Sequence, residues 1–152
     1  MIYKYSVEIN GRKHPFLVEE KKFEYDAKGI STPGKIVEMM NKLFHFSNMA
    51  EEYVYMIAFS SAMEVLGVFQ IAHGNICSSV ISPREIILRI LISGASGAVV
   101  LHNHPSGSVI PSANDLQVFR QLKNSFSLFN IDLHDFIIVG DSFYSFKMEE
   151  HY

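Results

Sequence analysis

Apolar and polar side chains alternate over residues 2 to 9, which predicts a half-exposed strand. Asn10-Gly11 follows as a strong hairpin signal, with Phe16 to Val18 as the returning strand. Glu19 to Lys28 is charged and without period, so residues 1–30 read as a peripheral hairpin with a connector. At Thr32-Pro33 the period changes: a hydroxyl precedes a proline whose missing N–H costs nothing at a helix start. Ile36, Met39, Met40, Leu43 and Phe44 then recur at helical spacing and predict core packing, with His45 at the helix end. The run Y-V-Y-M-I-A-F from Tyr53 predicts a central strand, and Glu64 to Ala72 its antiparallel partner, closing at His73-Gly74.

Asn75 to Ile81 is expected to cross to a second helix. Ser82-Pro83-Arg84-Glu85 reads as its capping box, Ile86, Ile87, Ile90 and Leu91 as its buried face, and Gly94 as its stop. Arg84 and Arg89 are expected in solvent or paired with acidic neighbours. A short buried strand, Ala98 to Leu101, leads into a Pro/Ser/Gly loop. A third helix follows from about Ser112 to Phe129, with Leu116, Phe119, Leu122 and Phe126 inward. Ile131 to Val139 and Phe143 to Phe146 read as the last strands. Strand pairs alternating with single helices predict an α/β fold, a mixed β-sheet with helices packed on it.

Composition narrows the setting. A chain of 152 residues, 48% hydrophobic and 19% charged, has the balance of an ordinary globular domain with a real core. A formal net charge of −3 offers no basic footprint and argues against direct nucleic-acid binding. With Cys77 as the one cysteine no internal disulfide can form. The first residues lack the apolar core of a signal peptide, and no apolar run approaches the ~20 residues of a membrane span. A cytoplasmic protein is the expectation, and a homo-oligomer is compatible with it.

The chemistry concentrates between Val99 and Asp115, V-V-L-H-N-H-P-S-G-S-V-I-P-S-A-N-D. Side chains two apart on a strand share a face, so His102 and His104 can converge on one point. The loop Pro105 to Pro111 is long enough to return Asp115 to that point. Two imidazoles and a carboxylate with a free fourth position make the ligand set of a catalytic zinc site. Ser112 and Asp115 also suit a helix N-terminus as cap and first-turn acid, which is compatible with a ligand role. Hydrolysis at such a site needs a base that is not a ligand. Among the carboxylates near strand ends, Glu85 belongs to the capping box and Glu64 to a hairpin turn, which leaves Glu51 or Glu52.

The run His102-Asn103-His104-Pro105-Ser106-Gly107, with Pro111-Ser112 and Asp115, resembles the metal motif of the JAMM (MPN+) metallopeptidases, and within them the bacterial RadC-like branch. The likeness extends through E-E-Y-V-Y-M-I-A-F, His73-Gly74, S-P-R-E at 82–85 and D-F-I-I-V-G at 135–140. It implies a cytidine-deaminase-like α/β sandwich over 49–152, with residues 1–48 as a separate N-terminal hairpin and helix extension. It implies His102, His104 and Asp115 as zinc ligands and Glu52 as general base, with Glu51 the register alternative. It also implies Ser112 as a stabiliser of the oxyanion, and a peptide or protein substrate.

Two positions depart from the branch. Asp135-Phe136 stands where Asp-His is usual, with a histidine displaced to His134, and Gly74-Asn75-Ile76-Cys77 replaces Gly-Thr-x-Asn. The helix-hairpin-helix region of longer relatives has no counterpart in the first 48 residues, so a DNA-repair role would rest on the family name alone. The expectation is a zinc metallopeptidase cleaving peptide or isopeptide bonds. The alternatives are a non-catalytic metal-binding accessory protein of DNA repair or mobile-element metabolism, and a two-histidine, one-carboxylate iron site. Cys77 and the remaining histidines are expected to be structural or at the surface, with His73 able to line the cleft.

Overall fold

Segments 53–59 and 97–103 are buried on both faces, as interior strands of a sheet are, the first carrying β-branched and aromatic side chains and the second a central Val99-Val100-Leu101 run. The computed structural model describes residues 1–74 and 81–149. In it the chain forms β1 (Ile2–Ile9), β2 (Pro15–Phe23), α1 (Pro33–Phe44), β3 (Tyr53–Phe59), β4 (Val65–His73) and α2 (Pro83–Ser93). It continues with β5 (Gly97–Asn103), α3 (Ala113–Leu128), β6 (Asp132–Val139) and β7 (Phe143–Ser145). The strands make one seven-stranded sheet in the order β2-β1-β4-β3-β5-β6-β7. Its β1–β4 and β5–β6 neighbours are parallel and the rest antiparallel, so the sheet is mixed.

Period-two alternation divides the core between the two faces. Ile57, Val99, Leu101 and Ile137 look toward Ile36, Met39 and Met40 of α1. Met56, Val100, Phe136 and Ile138 look the other way, toward Ile86 and Ile90 of α2 and Phe119, Leu122 and Phe126 of α3. Each such side chain, fully buried, contributes about 1.5–3 kcal/mol of transfer free energy. The result is the expected α/β sandwich, a mixed sheet between helices. No helix among the described residues is long and apolar enough to cross a membrane.

Local chemistry accounts for where the elements begin and end. Thr32 accepts from Lys35 N at 3.4 Å and caps α1, and Gly94, at φ +69°, closes α2 in the left-handed conformation. Other details differ from the sequence reading. β2 runs on through Glu19, Glu20, Lys21 and Lys22, which were expected in a connector. An edge strand keeps such charges in water, and they discourage further pairing. Asn10 works through its side chain, accepting from Arg12 N and His14 N at 2.9 and 3.1 Å, while the left-handed residue of the hairpin is Lys13. Ser82 makes no side-chain capping bond among the described residues; Glu85 turns instead to Arg84 and Arg89, at 2.6 and 3.5 Å. Leu91, expected inward, is 55% exposed. His134, expected at the surface, is half-buried and meets the Phe59 ring edge-on, in space left by Gly97. Cys77, His151 and the Asn75-Ile76-Cys77 departure lie outside the described residues.

Candidate metal centre

His102 is the last residue of β5 paired with β3, opposite Val54, and it points to the α3 side of the sheet. The strand ends one residue later, yet His104 stays in line because its N–H donates to Val139 O at 2.8 Å. Convergence of the imidazoles thus needs both strand alternation and an anchor on the neighbouring strand. Their Nε2 atoms stand 2.9 Å apart. His104 Nδ1 faces Ser108 O at 2.8 Å; a carbonyl only accepts, so Nδ1 carries the proton and Nε2 keeps its lone pair for a cation.

The loop that holds His104 is itself fixed on the β6–β7 turn. Gly107 N donates to His104 O at 3.0 Å, and Asp141 N donates to Gly107 O at 2.9 Å. A Cβ on Gly107 would meet the Asp141 carboxylate at 2.6 Å, and one on Gly140 would run into the Gly107 carbonyl. Both positions require glycine, and Gly107 also has φ +83°.

The carboxylate arrives at the start of α3. Ser112 Oγ accepts from Asp115 N at 3.1 Å and Asp115 Oδ2 accepts from Ser112 N at 2.7 Å, a complete capping box. The Ser112 hydroxyl also donates to Asp115 Oδ2 at 2.7 Å. So fixed, Asp115 places Oδ1 at 3.0 Å from His102 Nε2 and Oδ2 at 3.6 Å from His104 Nε2. Burial pushes its carboxyl pKa up, but the hydrogen bond and charge of His102 and the bonds from Ser112 outweigh that and hold it at about 2. The three candidate ligand atoms lie within 4.8 Å of one another, and His102 and Asp115 are 2% and 6% exposed. Two imidazole nitrogens and an ionised carboxylate, buried together, fit a divalent metal.

These residues line a cleft of about 700 Å³ together with Glu51, Glu52 and Ser112. The sheet register separates the two glutamates. Val54, on the His102 face, is two residues from Glu52, and Gly74 N donates to Glu52 O at 2.9 Å, carrying the β3–β4 ladder out to that residue. Glu51 has the opposite parity, and its exposed carboxylate pairs with His73 Nε2. His73 stacks on Tyr53 with ring centroids 4.2 Å apart, at the exposed end of β4.

One neighbour of the site, Asn103, escaped the sequence reading, and a second, Phe136, is the departure noted there. Asn103, the residue between the histidines, is completely buried and bonded to the segment that carries the glutamates. A fully buried amide must find partners, and these lie fifty and fifty-two residues away in sequence. Phe136 packs on the His102 ring at 5.4 Å, and His102 Nδ1 is buried with no hydrogen-bond partner among the described residues. Asp135, beside it, turns away from the cleft and accepts from Phe136 N, Lys147 N and the Ser145 hydroxyl at 2.8, 3.0 and 2.5 Å.

Residues 30–151 match the family model described as the RadC-like JAB domain. A UPF0758 protein of Staphylococcus haemolyticus is 34% identical over 124 residues, 81% of this chain and 53% of its own length. UPF0758 proteins of Desulfitobacterium hafniense and Clostridium acetobutylicum are 30% and 28% identical, over 76% and 83% of this chain and 50% and 54% of theirs. The chain therefore spans about half the length of the curated relatives it matches. With a mixed sheet between helices and a paired-histidine, aspartate cluster at the strand end, and with the family match running from before α1 to the end of the described residues, the chain belongs to the RadC-like JAB domain family.

Proposed function

We propose that this chain is a zinc-dependent hydrolase of peptide or isopeptide bonds. The observation that carries the reading is the meeting of His102 Nε2, His104 Nε2 and the Asp115 carboxylate at the floor of a cleft lined by Glu52. Those three groups would hold the metal. When bound, zinc supplies a Lewis acid that lowers the pKa of water toward ~7 and polarises a carbonyl.

Glu52 takes a proton from the attacking water as its oxygen adds to the carbonyl carbon, then gives that proton to the amine nitrogen as the C–N bond breaks. Continued back from Val54, the parity of β3 supports Glu52 over Glu51, whose carboxylate is engaged by His73. Ser112, on the cleft wall, is assigned to the oxyanion formed on the substrate carbonyl. Its hydroxyl already has an acceptor in Asp115 and shares that proton only by turning toward the cleft.

The test is metal analysis of protein purified without added metal, followed by a screen of peptide and isopeptide substrates. Glu52→Gln is expected to keep the metal and to lower kcat by about 10²–10⁴, the range of general-base catalysis. Equal turnover by the two proteins would remove Glu52 as the base, and stoichiometric zinc with no turnover in either would leave a metal-binding module and overturn the reading. Iron at stoichiometry would overturn the metal assignment.

A further inference from the structure

Asn103 and His102 are adjacent on β5 and so look to opposite faces of the sheet. While His102 turns toward α3, the Asn103 amide reaches the segment entering β3. Its Oδ1 accepts from Tyr53 N at 2.7 Å. Its Nδ2 donates to Glu51 O at 2.9 Å and to Met49 O at 3.4 Å. The orientation of the amide is dictated by its partners, because a flipped group would set NH2 against an N–H and oxygen against two carbonyls.

These bonds bracket Glu52, one on the residue before it and one on the residue after. The β3–β5 ladder ends at Val54 and His102, and one further step of the same register places Tyr53 opposite Asn103. At that step the side-chain amide takes the place of a backbone ladder bond. A second step places Glu52 opposite His104. Asn103 therefore ties the glutamate-bearing segment to the strand end between the two histidines, at the point where the two backbones part.

We propose that Asn103 is a positioning residue: it fixes Glu52 against the metal-binding group without touching either ligand set or substrate. The proposal rests on the reading of Glu52 as proton acceptor. Aspartate at 103 keeps the acceptor for Tyr53 N–H but turns a carboxylate on two carbonyl oxygens. Leucine keeps the shape and offers neither function, and serine is too short to reach both sides.

The experiment uses the full chain loaded with Co²⁺ alone and labelled with ¹³C at glutamate. The paramagnetic shift of the Glu52 carboxyl carbon reports its distance from the ion, and amide hydrogen exchange at Tyr53 reports the bond to Asn103. Asn103→Leu and Asn103→Asp are expected to bind Co²⁺ within threefold of the unsubstituted chain. Both are expected to lose half or more of the Glu52 shift, and Asn103→Leu to speed Tyr53 exchange at least tenfold. Should Asn103→Leu fail to fold, Asn103→Asp retains shape, polarity and the Tyr53 bond, and its Glu52 shift decides. An unchanged Glu52 shift in a folded variant, even one of lowered melting temperature, would make Asn103 merely structural and overturn the proposal. Absence of a Glu52 shift in the unsubstituted chain would instead remove Glu52 from the site, and the proton-acceptor reading would fail with the role built on it.

Discussion

His102 Nε2 lies 3.0 Å from Asp115 Oδ1, and this contact joins the end of a strand to the first turn of a helix. It has a consequence for stability. The Asp115 carboxyl is depressed from 3.8 to about 2: burial opposes the shift, and His102 and Ser112 drive it. A carboxyl with a folded-state pKa below its unfolded value contributes stability above the unfolded pKa, and that contribution is lost as pH falls through the folded one. In chelator-treated protein, the unsubstituted chain is expected to lose stability between about pH 4 and pH 2 more steeply than Asp115→Asn. Urea melts across that range check it, and parallel curves for the two proteins would show that the contact contributes nothing.

The second prediction concerns the loop that carries His104. His104→Ala removes one of three candidate ligands and is expected to abolish stoichiometric metal. Gly140→Ala should act on the same site from a distance, because its Cβ would displace the Gly107 carbonyl and with it the turn behind His104. Overpacking of this kind costs about 1–3 kcal/mol. Metal titration beside a thermal melt separates the effects: His104→Ala is expected to fold normally without metal, and Gly140→Ala to be destabilised and to bind metal more weakly.

How far the chain was legible follows from which physical rule governed each residue. His102, His104 and Asp115 obey local rules, strand parity and a cap directly after a proline, and they meet where the sequence puts them. Ser82 and Ser112 present nearly the same pattern, a serine followed three residues later by an acid, yet only Ser112 makes the side-chain cap. The difference lies in competing partners: Glu85 has Arg84 and Arg89 within reach, while Asp115 faces His102. β2 was legible only in part, since its charged half has no alternation and is held by the ladder to β1. Asn103 was missed because its partners, Met49, Glu51 and Tyr53, are some fifty residues away in sequence.

Leu91 gives a third prediction, drawn from the same comparison. It and Ile90 are adjacent on α2 and equally apolar, but Ile90 is completely buried against the sheet and Leu91 faces solvent. Ile90→Ala is expected to destabilise by about 2–5 kcal/mol, as large-to-small changes in a packed core do. Leu91→Lys should stay within about 0.5 kcal/mol, the range of surface substitutions. Chemical denaturation of the two variants checks this, and a large loss for Leu91→Lys would place that side chain in contact with something the monomer does not provide.

The fourth prediction addresses the unpartnered nitrogen beneath the site. His102 Nδ1 is buried without an acceptor among the described residues, and the ring beside it is that of Phe136. Ligand histidines ordinarily give their second N–H to an acceptor, and losing that partner costs 10–100-fold in metal affinity. A histidine at 136, where the present ring packs on His102, would put a nitrogen acceptor on the strand neighbouring β5. Phe136→His is therefore expected to tighten zinc binding by about tenfold. The same change removes Phe136 from its contacts with Phe119 and Phe146 and should cost the chelator-treated protein about 1–3 kcal/mol. Zinc competition against a chromophoric chelator, read beside the melting temperature with and without metal, distinguishes the outcomes. Weaker zinc binding in a folded Phe136→His protein would mean that His102 is oriented by packing against the phenylalanine rather than left short of a hydrogen bond by it.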